Sequence, residues 1–279
     1  MKLLLLFAAT GCALAQPPDI DQIMTRVALN QAKSQDSRKD WVYSQKQVLR
    51  MVRGSGRLAR EERREYVIVP KTRHIQKQLT KFEGKYEEHG KQVAYDQPGY
   101  HYKNLDVDGD LIDEMSNDLT DDKDSPDGIA RDLFPLTNHQ QLKYRFRLKG
   151  AETCRGREVY RVAFEPKPHE HADGEDDFLW KGEALIDAVE YQPVLVNTSM
   201  AKKIPMAVQI LLGTNIRGLG FSVSYEKFAD GVWFPVSYGG EFDVRAVFFY
   251  KRKISVSMVN SDFRRTDVTS NIAYAIEDK

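Results

Sequence analysis

The stretch that decides the fold is a chain of short apolar runs: FLWKGEALID (178–187), VLVNTSM (194–200), FSVSYEKF (221–228), VWFPVSY (232–238) and EFDVRAVFFYKRKISVSMVNSDF (241–263). Each is rich in β-branched and aromatic residues. The breaks between them carry turn residues, at 188–193 and at Ala229-Asp230-Gly231, so they read as successive antiparallel strands. Side chains alternate across a strand, which puts Phe242, Val244, Ala246, Phe248 and Tyr250 on one face and Asp243, Arg245 and Lys251 on the other. A sheet built this way has one apolar and one solvated side.

Working outward, KYRFRLKG (143–150) alternates throughout, with Lys143, Arg145, Arg147 and Lys149 outward and Tyr144, Phe146 and Leu148 inward. In EVYRVAFEP (158–166), Tyr160, Val162 and Phe164 share a face. Nearer the amino terminus, WVYSQKQVLRMVR (41–53) and RLAREERREYVIVP (57–70) form two strands around the turn Gly54-Ser55-Gly56. The arginines and glutamates of the second are expected to pair across strands on a solvated face. Interleaved Glu61, Glu62 and Glu65 cancel any basic ribbon for nucleic acid. Residues 19–32 place Ile20, Ile23, Met24, Val27 and Ala28 at helical spacing behind Asp19, a candidate N-cap, and 31–40 reads as polar linker. Residues 71–102 suggest one or two short strands broken at Gly84 and Gly90, and PDGIARDLF (126–134) suggests a short helix. The fold class is mainly β (α+β), a single domain over 16–279, with an acidic lid or loop at about 105–135.

The amino terminus, MKLLLLFAATGCALAQ, combines a lysine, an apolar run over 3–9 and Ala13-Leu14-Ala15, the pattern of a secretory signal peptide over 1–15. The run is far shorter than the roughly 20 residues that span a bilayer. A second reading places a lipidated cysteine at Cys12, after Ala9-Thr10-Gly11. Either route gives a periplasmic or secreted protein, soluble in the first case and lipid-anchored in the second. With 41 basic and 41 acidic residues among 279, no net field draws the chain to nucleic acid or an anionic membrane. Charged residues at 29% and a mean hydropathy of −0.54 argue against an integral membrane protein. The two cysteines are Cys12, in the signal, and Cys154, read as a small residue beside the turn Cys154-Arg155-Gly156.

Candidate chemistry is sparse. The passage 105–124 carries Asp106, Asp108, Asp110, Asp113, Glu114, Asp118, Asp121, Asp122 and Asp124, yet Gly109 falls fourth counting from Asp106, where a calcium loop needs glycine sixth. A mobile, solvated loop with helical fragments is the expectation. His169 and His171 lie in a carboxylate-rich loop without a third ligand on a rigid element, and read as a surface hairpin. No G-x-S-x-G or H-E-x-x-H occurs, and the six histidines have no paired nucleophile, so a hydrolase is disfavoured. No catalytic residue, metal or cofactor is expected.

The leading helix, the first hairpin and the lid-like middle, followed by WKGEALIDAVEYQPVLVN (180–197) and YEKFADGVWFP (225–235), resemble the bacterial lipoprotein-carrier superfamily of LolA and LolB, with the sensor relative RseB. The resemblance implies an incomplete antiparallel barrel, a curved sheet covered by short helices, around a hydrophobic cavity. It implies a carrier or binding protein that shields a lipid or lipoprotein acyl chain. A non-enzymatic envelope sensor or interaction module with envelope-protein partners is the alternative. Phe146, Phe164, Ile186, Phe221, Val223, Phe242, Val244 and Phe248 are the candidate hydrophobic ligand-binding face. Cleavage after Ala15 is expected to leave Gln16, or its cyclised form, at the mature terminus; mass spectrometry of secreted protein beginning at an acylated Cys12 would replace this with the anchored form.

Overall fold

In the computed structural model, residues 18–70, 75–118, 137–168, 179–201, 214–217, 219–246 and 250–266 are described. Helix α1 (Ile20–Arg38) leads into β1 (Trp41–Arg53), β2 (Leu58–Pro70), β3 (Ile75–Glu88) and β4 (Lys91–Tyr95). Helices α2 (Val107–Asp118) and α3 (Asn138–Gln141) follow. Then come β5 (Tyr144–Cys154), β6 (Arg157–Pro166), β7 (Trp180–Asp187), β8 (Pro193–Met200), β9 (Thr214–Arg217), β10 (Ser222–Ala229), β11 (Val232–Ala246) and β12 (Tyr250–Arg265). The strands form one antiparallel sheet of 12 in the order β4-β3-β2-β1-β12-β11-β10-β8-β7-β6-β5, with β9 paired to β11. Its ends, β4 and β5, do not pair, so the curved sheet stays an open half-barrel, and α1 and α2 cover one face.

The register of the ladders places a single row of side chains across that covered face. Gln47 of β1 opposes Met258 of β12, and Met258 opposes Tyr238 of β11. Beyond Tyr238 the row runs through Val223, Val196, Ala184, Val162 and Leu148. In the other direction it continues to Arg64 and Phe82. Neighbours in register point to the same side of a sheet, so this row samples the face from edge to edge. It changes from charged through amide to aliphatic.

The α1 contribution is legible up to Ala28: Ile23, Met24, Val27 and Ala28 are buried, the first three in one cluster with strand residues such as Leu49, Val162 and Trp233. The helix runs on to Arg38, through the expected linker, because its buried stripe turns polar instead of ending. The Ser34 hydroxyl accepts from Trp233 N at 3.2 Å, and Arg38 Nη1 donates to Trp233 O at 2.9 Å. Asp19 sits at the N-cap position without a capping side-chain bond. The two stretches that carry the family resemblance hold the other flank of α1. Asp187 closes its turn by accepting from Val189 N and Glu190 N, at 2.9 and 2.7 Å. Glu190 then accepts from Trp233 Nε1 at 3.0 Å and Lys227 Nζ at 2.9 Å, while its carbonyl takes Asn30 of α1.

Strand pairing corrects two expectations, and a helix corrects a third. Residues 241–263 are not one strand: β11 ends at Ala246, which pairs with Tyr250, the first residue of the antiparallel β12, and the sequence between them has no glycine, proline, asparagine or aspartate to announce the break. Gly84 does not break β3. It pairs with Tyr95, and a Cβ there would lie 2.2 Å from the tyrosine ring, so the absent side chain makes room for the ring. The passage 107–118 is a helix. The short helix expected at 126–134, the histidine loop with His169 and His171, and the signal segment with Cys12 lie outside the described residues.

Gly182 of β7 meets the backbone of β8 more closely still, with a built Cβ 1.9 Å from the Asn197 carbonyl oxygen. Backbone cannot swing aside as a side-chain tip can. Gly182→Ala is expected to cost about 1–3 kcal/mol in urea denaturation by forcing β7 and β8 apart, where a conformationally neutral glycine would show no loss.

Candidate ligand-binding face and its helical cover

Five of the predicted wall residues, Phe164, Ile186, Val223, Phe242 and Val244, are buried in one apolar cluster, and Phe146 and Phe221 pack against it half-buried. Phe146 opposes Phe164 across β5 and β6, Phe242 opposes Ile254, and Phe221 stacks on Tyr238 with ring centroids 5.0 Å apart. Phe248 lies outside the described residues. The structure therefore brings seven of the eight together, with Ile23, Met24 and Val27 of α1 and Ile112 of α2 in the same cluster.

The β2 end of the same face is built differently. Arg60, Glu62 and Arg64 alternate onto it and are all buried, Arg60 and Glu62 completely, contrary to the solvated ladder expected for this strand. On the opposite face Arg63 and Lys85 keep that character, and the carboxylate they hold, Glu61, is buried beneath them. Arg60 donates Nε to Tyr95 Oη at 2.7 Å, Nη1 to Asp106 Oδ2 at 2.6 Å, and Nη2 to the Tyr100 carbonyl. Tyr95 Oη donates on to Glu62 Oε1 at 2.7 Å. Arg64 donates to the other oxygen of Glu62 and, at 2.8 Å, to Asp113 Oδ1. A buried cation must be paired, since the cost of dehydrating it unpaired runs to several kcal/mol. Burial raises the Tyr95 hydroxyl, and its bond to Glu62 adds to the effect, so it stays protonated.

Helix α2 supplies the missing carboxylates. Asp106 caps it, with Gly109 N donating to Oδ1 at 3.1 Å, while its other oxygen holds Arg60. Asp108 receives Arg252 of β12 through two bonds of 2.8 Å and the Tyr250 hydroxyl at 2.8 Å. Asp110 meets His101 at 2.8 Å, and Ser116 donates to Gln47 Oε1 at 3.0 Å. The acidic passage is thus a docked helix rather than a mobile loop as far as Asp118; 119–124 lie outside the described residues. Its aspartates face different cations, and among the described residues no three metal-ligating groups converge. The apolar share of the docking is small: Ile112 is buried, with Leu111 and Met115 partly so.

What sequence reasoning missed here is the buried charge. Its one signal was the alternation Arg60-Glu62-Arg64 in a strand whose register sets Glu62 opposite Leu49 and Arg60 opposite Met51, both fully buried.

No family model matches the sequence, and no curated protein does. Among solved structures, the chain is similar to one described as an outer membrane lipoprotein-sorting protein domain from Vibrio parahaemolyticus. Identity is 10%, the match covers 91% of this chain and 96% of the other, and the TM-score is 0.35. It is similar also to a LolA superfamily protein from Nitrosomonas europaea, at 10% identity with 88% and 94% covered and a TM-score of 0.35. A DUF1329 family protein from Desulfovibrio piger is 12% identical, with 90% and 96% covered and a TM-score of 0.32.

Glu62 serves Arg60, Arg64 and Tyr95 at once. Glu62→Gln is expected to cost about 3–5 kcal/mol by chemical denaturation, the range for removing one partner of a buried pair. His101 gives a milder handle. Its hydrogen bond to Asp110, with a second to the Gly99 carbonyl, raises its pKa above the ordinary 6.5. Its contribution is therefore complete below about pH 6.5 and fades as pH rises through the raised value. Amide exchange over 107–110, corrected for intrinsic rates, should lose protection across that window, and His101→Gln should abolish the dependence.

Proposed function

We propose that the chain is an extracytoplasmic, non-enzymatic binding protein that shields an acyl chain of a lipid or lipoprotein against the covered face of the half-barrel. Phe146, Phe164, Ile186, Phe221, Val223, Phe242, Val244 and Phe248 form the wall in this reading, and α2 is the part of the cover that moves. The observation that carries it is the contrast between the wall and what holds α2 over it. The wall is apolar, whereas α2 is fastened chiefly by ion pairs to Arg60, Arg64, Arg252 and His101. When the helix lifts, water reaches both partners of each pair, from Arg60–Asp106, dry in the closed form, to His101–Asp110 at the exposed rim, so no charge is left buried without its partner. The signal-like amino terminus supports a location outside the cytoplasm, and no helix among the described residues is long and apolar enough to cross a membrane.

The test is titration with a fluorescent fatty acid. Saturable one-to-one binding is expected. Asp108→Asn, which weakens the bidentate hold on Arg252, should speed probe entry about ten- to a hundredfold, from the 1.5–3 kcal/mol that a charged hydrogen bond contributes. A wild-type protein that takes up no probe overturns the proposal.

A further inference from the structure

Three buried side-chain atoms on the covered face have no hydrogen-bond partner among the described residues: Gln47 Nε2, Gln45 Oε1 and Tyr238 Oη. Gln47 is 1% exposed, Gln45 3% and Tyr238 6%. Buried polar atoms are nearly always satisfied, so three on one face call for a missing partner. Burial raises the pKa of the Tyr238 hydroxyl, so it is present as a donor.

Their placement is specific. Gln47 and Tyr238 both oppose Met258, from β1 and β11, so they stand two strands apart on the covered face. At the usual strand spacing that separation is about 9.6 Å between Cα atoms, a gap that a small polar group can bridge. Ser116 of α2 occupies Gln47 Oε1, which leaves Nε2 as the free donor beneath the helix. Met258 between them is only half-buried, although its row neighbours are closed off. Arg64 lies on one side of this seam, its charge taken up by Glu62 and Asp113. On the other side lie Val223 and Val196, both buried.

We infer that Tyr238 Oη and Gln47 Nε2 form a polar subsite that receives the carbonyl oxygen of an amphiphile's head, a carboxyl, ester or amide, while its chain lies toward Val223 and Val196. Two donors define an acceptor. Gln45 Oε1, from the same face of β1, supplies an acceptor for an O–H or N–H on that head. The inference rests on the binding function proposed above and adds what the ligand must carry: an acyl chain alone would leave the three atoms unsatisfied. The row orients the ligand, polar end toward β1 and chain toward β8.

The experiment compares dodecanoic acid with dodecane as displacers of a neutral fluorescent probe, 1-aminoanthracene, on the wild type, Tyr238→Phe and Gln47→Met. The wild type is expected to prefer the acid. Tyr238→Phe removes one oxygen that has no partner in the free protein. It should lower the affinity for the acid roughly tenfold, leave dodecane unchanged, and leave the thermal midpoint unchanged or raised. Gln47→Met should weaken the acid likewise, with some loss of stability from the Ser116 bond. With acid isotope-labelled at the carboxyl carbon, the carbonyl stretch should shift on binding to the wild type and less on binding to Tyr238→Phe. Equal loss of both displacers, an unchanged preference for the acid, or a lowered thermal midpoint of ligand-free Tyr238→Phe overturns the subsite. The last outcome would mean that the hydroxyl holds a structural water. If neither compound displaces the probe and the probe itself does not bind, the binding function falls and the subsite with it; if dodecane binds and the acid gains nothing, the subsite alone falls.

Discussion

Arg60 and Arg64, two guanidiniums on one face of β2 with a single carboxylate, Glu62, between them, are the constraint on which the cover of the sheet depends. Strand β2 cannot balance this charge itself, and dehydrating an unmatched guanidinium costs several kcal/mol. The balance comes from Asp106 and Asp113, so the charged end of the covered face is dry only when α2 is in place. The dependence runs both ways. A helix of 12 residues with one fully buried apolar side chain is marginal in isolation, and the carboxylate that caps it is the one that neutralises Arg60. Tyr95 completes the arrangement, reaching Arg60 and Glu62 only because Gly84 opposite it has no side chain.

Helix α1 is attached in another way. It buries Ile23, Met24 and Val27 and then inserts Ser34 and Arg38 against the β11 backbone, so little of its hold is exchangeable with solvent. The two helices over one face thus differ in kind, one seated by apolar packing and backbone hydrogen bonds, the other by charge. In the binding function proposed above, that difference assigns α2 the part of the cover that moves.

The strands were largely readable because most of them alternate cleanly and end at turn residues, which is why β1, β7 and β8 fall where the pattern puts them. The missed features share a cause. Where charged side chains were satisfied by partners distant in sequence, as for Arg60 with Asp106 and Arg252 with Asp108, the local pattern is that of a solvated ladder or an acidic loop. Burial comes only from the fold. Likewise α1 extends to Arg38 through polar contacts that hydrophobic periodicity does not register, and the break between β11 and β12 falls in a run of sequence, 247–249, that reads as strand. On the covered face the apolar half was legible as Phe164, Ile186, Val223, Phe242 and Val244. Its polar belt was not, because Gln45 and Gln47 in alternation with Ser44 and Lys46 carry no amphipathic signal at all.

That belt follows from how the chain closes its sheet. The first hairpins bring charged residues to the covered face, and the late strands bring apolar ones. The two halves meet only where β1 pairs with β12, and that pairing runs in unbroken register from Ser44 to Arg53. A slip of one residue would turn Gln47, Leu49 and Met51 outward and bury Lys46 and Arg50. The burial of Leu49 and Met51 therefore holds the register, and the register in turn sets Gln47 opposite Met258 and, through it, in line with Tyr238. The unsatisfied atoms at this junction are a consequence of joining a charged half-sheet to an apolar one. A ligand with a polar head and an apolar tail is matched to both halves, and it removes the cost that the junction would otherwise carry.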